Sequence, residues 1–233
     1  MGALKILSGG AAHGLVNSVT AQFRELTGLD IEGEFGAVGV MAGKLRAGMQ
    51  ADIVVLTAAL VADLARENLA AGASVRDIGA VETALAVRSA DPPVSARDGD
   101  TLRAALLAAD AIFVPDTTTS TAGVHVASVL AKLGIAGQVA NRLKIFPNGA
   151  TAMRNLAASS AAGPIGCTQS TEIISTDGVA LSGALPNGYD LATVYTAAIG
   201  ANADKAAPAQ VLIDLLTRAE HRELRTRAGF VEV

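Results

Sequence analysis

The feature that most constrains this chain is a repeated alternation: a short apolar run, a turn of glycine and small residues, then apolar residues at helical spacing. Residues 3–8 read as a buried strand, Gly9-Gly10 breaks it, and residues 11–26 carry Leu15, Val19, Phe23 and Leu26 on one helical face. Residues 29–35 read as a second strand and 36–47 as a helix containing Met41 and Leu45. Residues 51–56, ADIVVL, form a third strand whose continuous apolar run suits a sheet covered on both faces, and 58–70 return as a helix. Alternation of this kind specifies parallel strands joined by right-handed helical crossovers, so the expected fold class is α/β.

The pattern restarts further on. Residues 81–87 read as a strand leading into Asp91-Pro92-Pro93, a stiff segment that suits a crossing into a second unit. There we expect a helix over 101–109, a strand over 111–115, a helix over 121–133 closed by Gly134, and a strand over 143–146. A helix over 151–158, a strand over 164–168, a peripheral strand over 178–181 and a long strand over 191–199 follow. An amphipathic helix over 207–226 closes the chain.

Composition narrows the function classes. With 233 residues, 51% hydrophobic and 17% charged, the chain buries more than one core and is too apolar for disorder. A net charge of −4 without any block of Lys or Arg leaves no electrostatic footprint for nucleic acid or an anionic membrane. Cys167 is the only cysteine, which excludes an intrachain disulfide and a Cys cluster for a structural metal. Mean hydropathy is high at +0.41, yet charged residues break every apolar run before the ~18 residues a membrane helix needs, so no membrane insertion is expected. Residues 1–7 are strand-like and lack the pattern of an export signal. The expectation is cytoplasmic as the sequence stands, and periplasmic if a signal peptide has been removed.

Chemistry is expected where the strands end. Ser8-Gly9-Gly10-Ala11, Gly36-Ala37-Val38-Gly39, residues 117–123 (TTTSTAG) and Asn148-Gly149-Ala150-Thr151 each open a helix. In an open α/β sheet ligands bind beyond the carboxyl ends of the strands, where helix N-termini present N–H groups and a partial positive charge. Such turns are also ordinary caps. The run of hydroxyl residues 117–121 suits the polar wall of a pocket. Neither a Gly-x-x-x-x-Gly-Lys-Ser/Thr nor a Gly-x-Gly-x-x-Gly pattern is present, so no nucleotide cofactor is expected, nor any other cofactor or metal.

Among titratable groups, His13 lies in the first turn of the first helix, as a ligand donor, a proton shuttle or an exposed first-turn residue. His125 lies one helical step further into its own helix, facing the ligand or packed on the surface. His221, among Glu220, Arg222 and Glu223, reads as part of a solvated face. Arg88 ends its strand, either pairing with a ligand carboxylate in bidentate fashion or standing at a surface strand end. Cys167 reads as a buried small hydrophobe rather than a nucleophile, and Asp52, Asp116 and Glu172 are scattered.

These turns, in this order, carry a resemblance. Residues 5–15, residues 35–52 (FGAVGVMAGKLRAGMQAD), Thr121-Ala122-Gly123 with the Ala-Lys-Leu-Gly helix end, Gly163-Pro164-Ile165-Gly166 and Arg227-Ala228-Gly229-Phe230 resemble the molybdate-binding protein of ABC transporters. That family has a type II periplasmic-binding-protein fold, and the resemblance runs essentially end to end. It implies two lobes, residues 1–86 with 192–233 and residues 87–191, a ligand cleft between them, and an ABC transporter permease as partner if the protein is exported. It also implies that Asp52 caps or positions a strand end.

The family's hydroxyl positions fall on Ala11, Ala37 and Val38, its backbone donor on Ala122, its next helix start on Thr151 and its tyrosine on Gln169. A site that has lost hydroxyl donors disfavours a tetrahedral oxyanion, whereas Gln169, Thr151, Thr118 and Ser120 suit a planar carboxylate. The expected function is therefore binding of a small organic anion, a di- or tricarboxylate over molybdate. Gly10, Ala11, His13, Ala37, Val38, Gly39, Arg88, Thr118, Ser120, Thr121, Ala122, Thr151 and Gln169 are the candidate contacts. Aconitate isomerase is a relative of the family, and the alternative is a cofactor-independent isomerase of an unsaturated di- or tricarboxylate with His13 as the proton shuttle.

Overall fold

The computed structural model describes residues 2–233; Met1, joined to the first strand by the sequence pattern, lies outside them. In order, the elements are β1 (Ala3–Gly9), α1 (His13–Thr27), β2 (Asp30–Gly36), α2 (Val38–Arg46), β3 (Ile53–Thr57), α3 (Ala58–Arg66) and β4 (Arg76–Arg88). There follow α4 (Gly99–Ala108), β5 (Ala111–Pro115), α5 (Thr121–Lys132), α6 (Ala136–Val139), β6 (Leu143–Phe146), α7 (Gly149–Ala157), β7 (Pro164–Gln169) and α8 (Ser170–Ile174). The chain ends with β8 (Val179–Ala184), β9 (Ala192–Ile199), α9 (Ala206–Thr217) and α10 (Arg222–Arg227). This is an α/β fold.

Two compact units arise. One is made by the chain up to Val81 and from Thr193 onward, the other by Glu82–Ala192. The chain passes from one to the other inside β4, which runs thirteen residues without a break. The sequence places that crossing near residue 87. It falls earlier because Ala84 and Leu85 already pack into the cores of the second unit.

In the first unit β1 pairs in parallel with β2 and β3, and β9 returns antiparallel to β3. The apolar face of α1, with Leu15, Val16, Val19 and Phe23 fully buried, packs against the sheet and against α9. Gly28, in the left-handed region at φ 70°, closes α1 through its N–H to the Arg24 carbonyl. Asp52 ties the start of β3 to β1 and to the start of α9: its buried carboxylate accepts from the backbone N–H of Lys5 at 2.8 Å and of Lys205 at 2.9 Å.

In the second unit β5 pairs in parallel with β6 and β7, while β7 and β8 run antiparallel to β4. The successive strands β1, β2 and β3, and again β5, β6 and β7, are joined by helices and run parallel, as the alternation demands; β4 runs against β7 and β8, and β9 against β3. The short helices α6 and α8 are not expected from the sequence, and β4 and the closing helix differ from their expected bounds. β4 begins at Arg76 because Ala80 is bridged to Val231 by a pair of backbone hydrogen bonds, a partner at the far end of the sequence. The closing helix is broken at Arg218, whose backbone is extended; His221 Nδ1 lies 2.6 Å from the Leu215 carbonyl and Arg225 donates to the carbonyls of Leu216 and Arg218.

Candidate functional site

In the first unit the register of β1 with β2 sets Gly9 beside Gly36, so the turns that open α1 and α2 lie side by side at the carboxyl end of the sheet. No side chain caps either helix: the N-cap residues are Ala12 and Ala37. Ala11, Ala37 and Val38 are buried, Gly10 is half-buried and Gly39 exposed, so this end offers backbone N–H groups and apolar contact. Gly9 is required there. A Cβ would lie 2.7 Å from Val38 Cγ1 and 2.8 Å from Tyr195 Cε1. Tyr195, which local pattern does not single out, thereby joins this end of the sheet. The His13 ring packs on Phe35 with centroids 4.4 Å apart, and its Nε2 lies 3.2 Å from the Asn17 amide nitrogen.

In the second unit the run of hydroxyl residues does something other than line a pocket. Asp116 Oδ1 accepts the backbone N–H of Thr118 and Thr119, at 2.8 Å each, and their hydroxyls at 2.6 and 2.9 Å. These bonds hold the Asp116 carboxyl well below the usual carboxylate range, the Thr118 hydroxyl contributing most. The proton of the Thr118 hydroxyl is thus given to Asp116, which removes Thr118 from the ligand donors. Ser120, at the N-cap of α5, makes no side-chain cap bond, and Thr121 and Ala122 form the first turn. That turn sits tight on the strand: a Cβ at Gly123 would overlap the carbonyls of Pro115 and Asp116.

The start of α7 is filled from within. Asn148 Oδ1 accepts the N–H of Thr151 at 2.8 Å, and the Glu172 carboxylate accepts the N–H groups of Gly149, Ala150 and Gln169 together with the Thr168 hydroxyl at 2.6 Å. Burial raises the Glu172 pKa, and these four bonds oppose that rise. Gly149 is the residue that admits the carboxylate, since a Cβ there would overlap Glu172 Oε2. The Thr151 N–H is therefore taken, while its Oγ1 accepts from Arg154 at 2.9 Å and keeps its own proton to donate. The expected fourth anion turn is occupied by the protein's own carboxylate, and of Thr151 only the hydroxyl stays in the candidate set.

Gln169 stands apart from these satisfied groups. It ends β7, is 3% exposed, and among the described residues neither its Oε1 nor its Nε2 finds a partner. Thr83, its register partner on β4, and Thr171, two residues on in α8, have buried hydroxyls in the same condition. Carried forward, the β5–β7 register sets Gln169 beside Asp116, at the end of the sheet where α5 begins. Sequence reading found Gln169 and missed Thr83 and Thr171, whose only signal is a hydroxyl at an inward strand or helix position.

Arg88 lies elsewhere. The β4–β7 register runs from Thr83 opposite Gln169 toward the start of β7, which puts Arg88 about 16 Å away at ~3.3 Å per residue. Its guanidinium is bound to Asp91 through Nε at 2.6 Å and to the Ser159 carbonyl at 2.7 Å. Its partner Asp91 lines a cavity of about 290 Å³ together with Val87, Val94, Ala105, Ala109 and Ile165. Arg88 is a structural ion pair and drops out of the site. His125 Nε2 lies 2.7 Å from the Tyr189 carbonyl, and burial pushes the Cys167 thiol up to about 12, leaving it inert.

Parallel strands whose carboxyl ends carry side-chain-free helix starts, with a buried amide beside one of them, define the class of α/β ligand-binding proteins. Residues 4–231 match the family described as bacterial extracellular solute-binding protein, and the chain belongs to that family. Among curated proteins none matches this sequence. Of solved structures, the periplasmic molybdate-binding protein of Azotobacter vinelandii aligns with a TM-score of 0.81 and 18% identity, covering 99% of each chain. The sulfate-binding protein SubI of Mycobacterium tuberculosis aligns at 0.76 and 18%, covering 100% of this chain and 88% of that one. L-phospholactate-bound PEB3, a Campylobacter jejuni protein, aligns at 0.69 and 15%, covering 99% of this chain and 100% of the other. At these identities the likeness is one of fold: the α/β architecture is that of the periplasmic binding proteins. Among the described residues no helix is long and apolar enough to cross a membrane.

Proposed function

We propose that this protein is a solute receptor for a small organic carboxylate, handing it to an ABC transporter on the outer side of the membrane. The observation that carries this reading is the buried, unpartnered amide of Gln169 beside the start of α5. A buried amide left without a partner costs ~1–3 kcal/mol, and a ligand that bonds to it recovers that energy. The ligand's oxygens are then met by the N–H groups of the first turn of α5, at Thr121 and Ala122, and by Gln169.

Molybdate and sulfate are the cargoes named for two of the structural neighbours, and a phosphorylated hydroxy acid for the third. Two observations favour a carboxylate here. Alanine and valine stand at the turns of the first unit, and the start of α7 is already filled by Glu172. Both subtract donors that a fully ionised tetrahedral oxyanion needs.

A thermal-shift panel tests the reading. Molybdate, tungstate, sulfate and phosphate are compared with mono-, di- and tricarboxylates including both aconitate isomers. A ligand at about 100 times its dissociation constant adds ~2.7 kcal/mol, which for a chain of this size raises the midpoint by about 5–10 °C. A shift with carboxylates and none with molybdate is expected. The reverse result overturns the carboxylate reading and leaves the family's oxyanion cargo in its place.

A further inference from the structure

We propose that Gln169 makes a proton on the ligand a condition of tight binding: the ligand carries a hydrogen-bond donor next to its carboxylate, as a 2-hydroxycarboxylate does. This rests on the reading of Gln169 as a ligand contact and goes beyond it by naming the class of carboxylate.

The argument is one of matching donors to acceptors. A primary amide presents two N–H donors and one carbonyl acceptor with two lone pairs. In Gln169 both atoms are buried and both lack a protein partner, so a ligand has to answer both. A fully deprotonated oxyanion has lone pairs only. It takes the Nε2 donors and the rotatable hydroxyls of Thr83 and Thr171, and it sets a lone pair against Oε1. Turning the amide over exchanges the two ends without removing the mismatch. Thr83 does not resolve it either: it is the register partner of Gln169 across β4 and β7, yet its hydroxyl bonds to neither amide atom.

A hydroxyl on the carbon next to a carboxylate supplies what is missing. Its O–H donates to Gln169 Oε1 while the carboxylate accepts from Nε2, a paired arrangement matched to the planar amide. The surroundings limit the alternatives. The Thr168 hydroxyl and the Gln169 backbone N–H are spent on the Glu172 carboxylate, so neither is left to serve a ligand.

The test is a calorimetric titration of the full chain with matched pairs that differ by one hydroxyl at equal charge: propionate against L-lactate, and succinate against L-malate. At least one hydroxylated acid is expected to bind tenfold or more tightly than its partner. In Gln169→Leu, which keeps the side-chain volume and removes both polar functions, that advantage is expected to fall below about threefold. Equal affinity within both pairs, or preference for the plain acid, overturns the proposal while leaving carboxylate binding intact. Binding of sulfate or molybdate with no response to any of the four acids, or no binding at all, overturns the carboxylate reading and this proposal with it. Retention of the hydroxyl preference in a folded Gln169→Leu transfers the selection to another residue and also overturns it. Should that variant fail to fold, the wild-type pairs decide, with Gln169→Met as the second variant.

Discussion

A carboxylate as deeply buried as that of Glu172 persists because four groups donate to it: the Thr168 hydroxyl and the N–H groups of Gly149, Ala150 and Gln169. Burial outweighs them, so the pKa sits above the ordinary carboxylate value. The folded state then holds the proton more tightly than the unfolded state. Between the ordinary value and the raised one, folding takes up a proton, so this contribution to stability is complete below that window and is lost as pH rises through it. Glu172→Gln removes the titration along with part of the bonding, and is expected to cost about 1–3 kcal/mol. Denaturant melts across pH 4 to 8 should show the wild-type advantage shrinking as pH rises. An advantage that grows with pH would mean the donors outweigh burial and place the pKa below the ordinary value. At this scale the site was only partly legible in the sequence. Gln169 was found because the resemblance marks its position, whereas Thr118 was misplaced: side-chain hydroxyls next to a carboxylate fold back on it, and nothing in a run of Thr says which way the run turns.

Among helices, capping separates those that are finished locally from those that are not. α3 is capped by Thr57, α4 by the Asp98–Thr101 capping box and α7 by Asn148, while α1, α2 and α5 have no side-chain cap. α6, α8, α9 and α10 lack one too, so an open start does not by itself mark a site; of the four turns the sequence singles out for anion binding, those opening α1, α2 and α5 are open and that opening α7 is closed. Asn148→Ala should therefore act on stability alone. It leaves the Thr151 N–H unbonded and is expected to lower the unfolding free energy by about 1 kcal/mol, read by urea titration, with ligand affinity unchanged. A loss of affinity beyond about threefold would return the start of α7 to the binding site. The strands and helices that alternate were legible because each is specified by its own apolar spacing; β5 and β6 begin and end where that spacing predicts. β4 was read short because the bridge from Ala80 to Val231 joins residues that no local pattern relates. The closing helix was read as continuous because Arg218 is as good a helix former as its neighbours, and the break is held by the side chains of His221 and Arg225.

For the molecule as a whole, the order of the chain through the two units sets the order of folding. The second unit is one uninterrupted segment, Glu82–Ala192, and its central pairs, β5 with β6 and β5 with β7, close within that segment. The first unit is interrupted. Its core takes Leu4, Leu15 and Phe23 from one end of the chain and Leu212, Ile213, Leu216 and Phe230 from the other, and β3 finds its antiparallel neighbour only in β9. Contacts over so long a separation carry a larger loop-closure cost, and that cost falls once the intervening segment is compact. Pulse-labelling hydrogen exchange during refolding is therefore expected to protect the amides of Ile112–Val114 in β5 and Ile165–Cys167 in β7 before those of Ile53–Val55 in β3. Protection of β3 first, or of all three strands together, would show that the apolar surface of the interrupted unit collapses without waiting for the inserted one, and that the chain's order through its units does not control its folding.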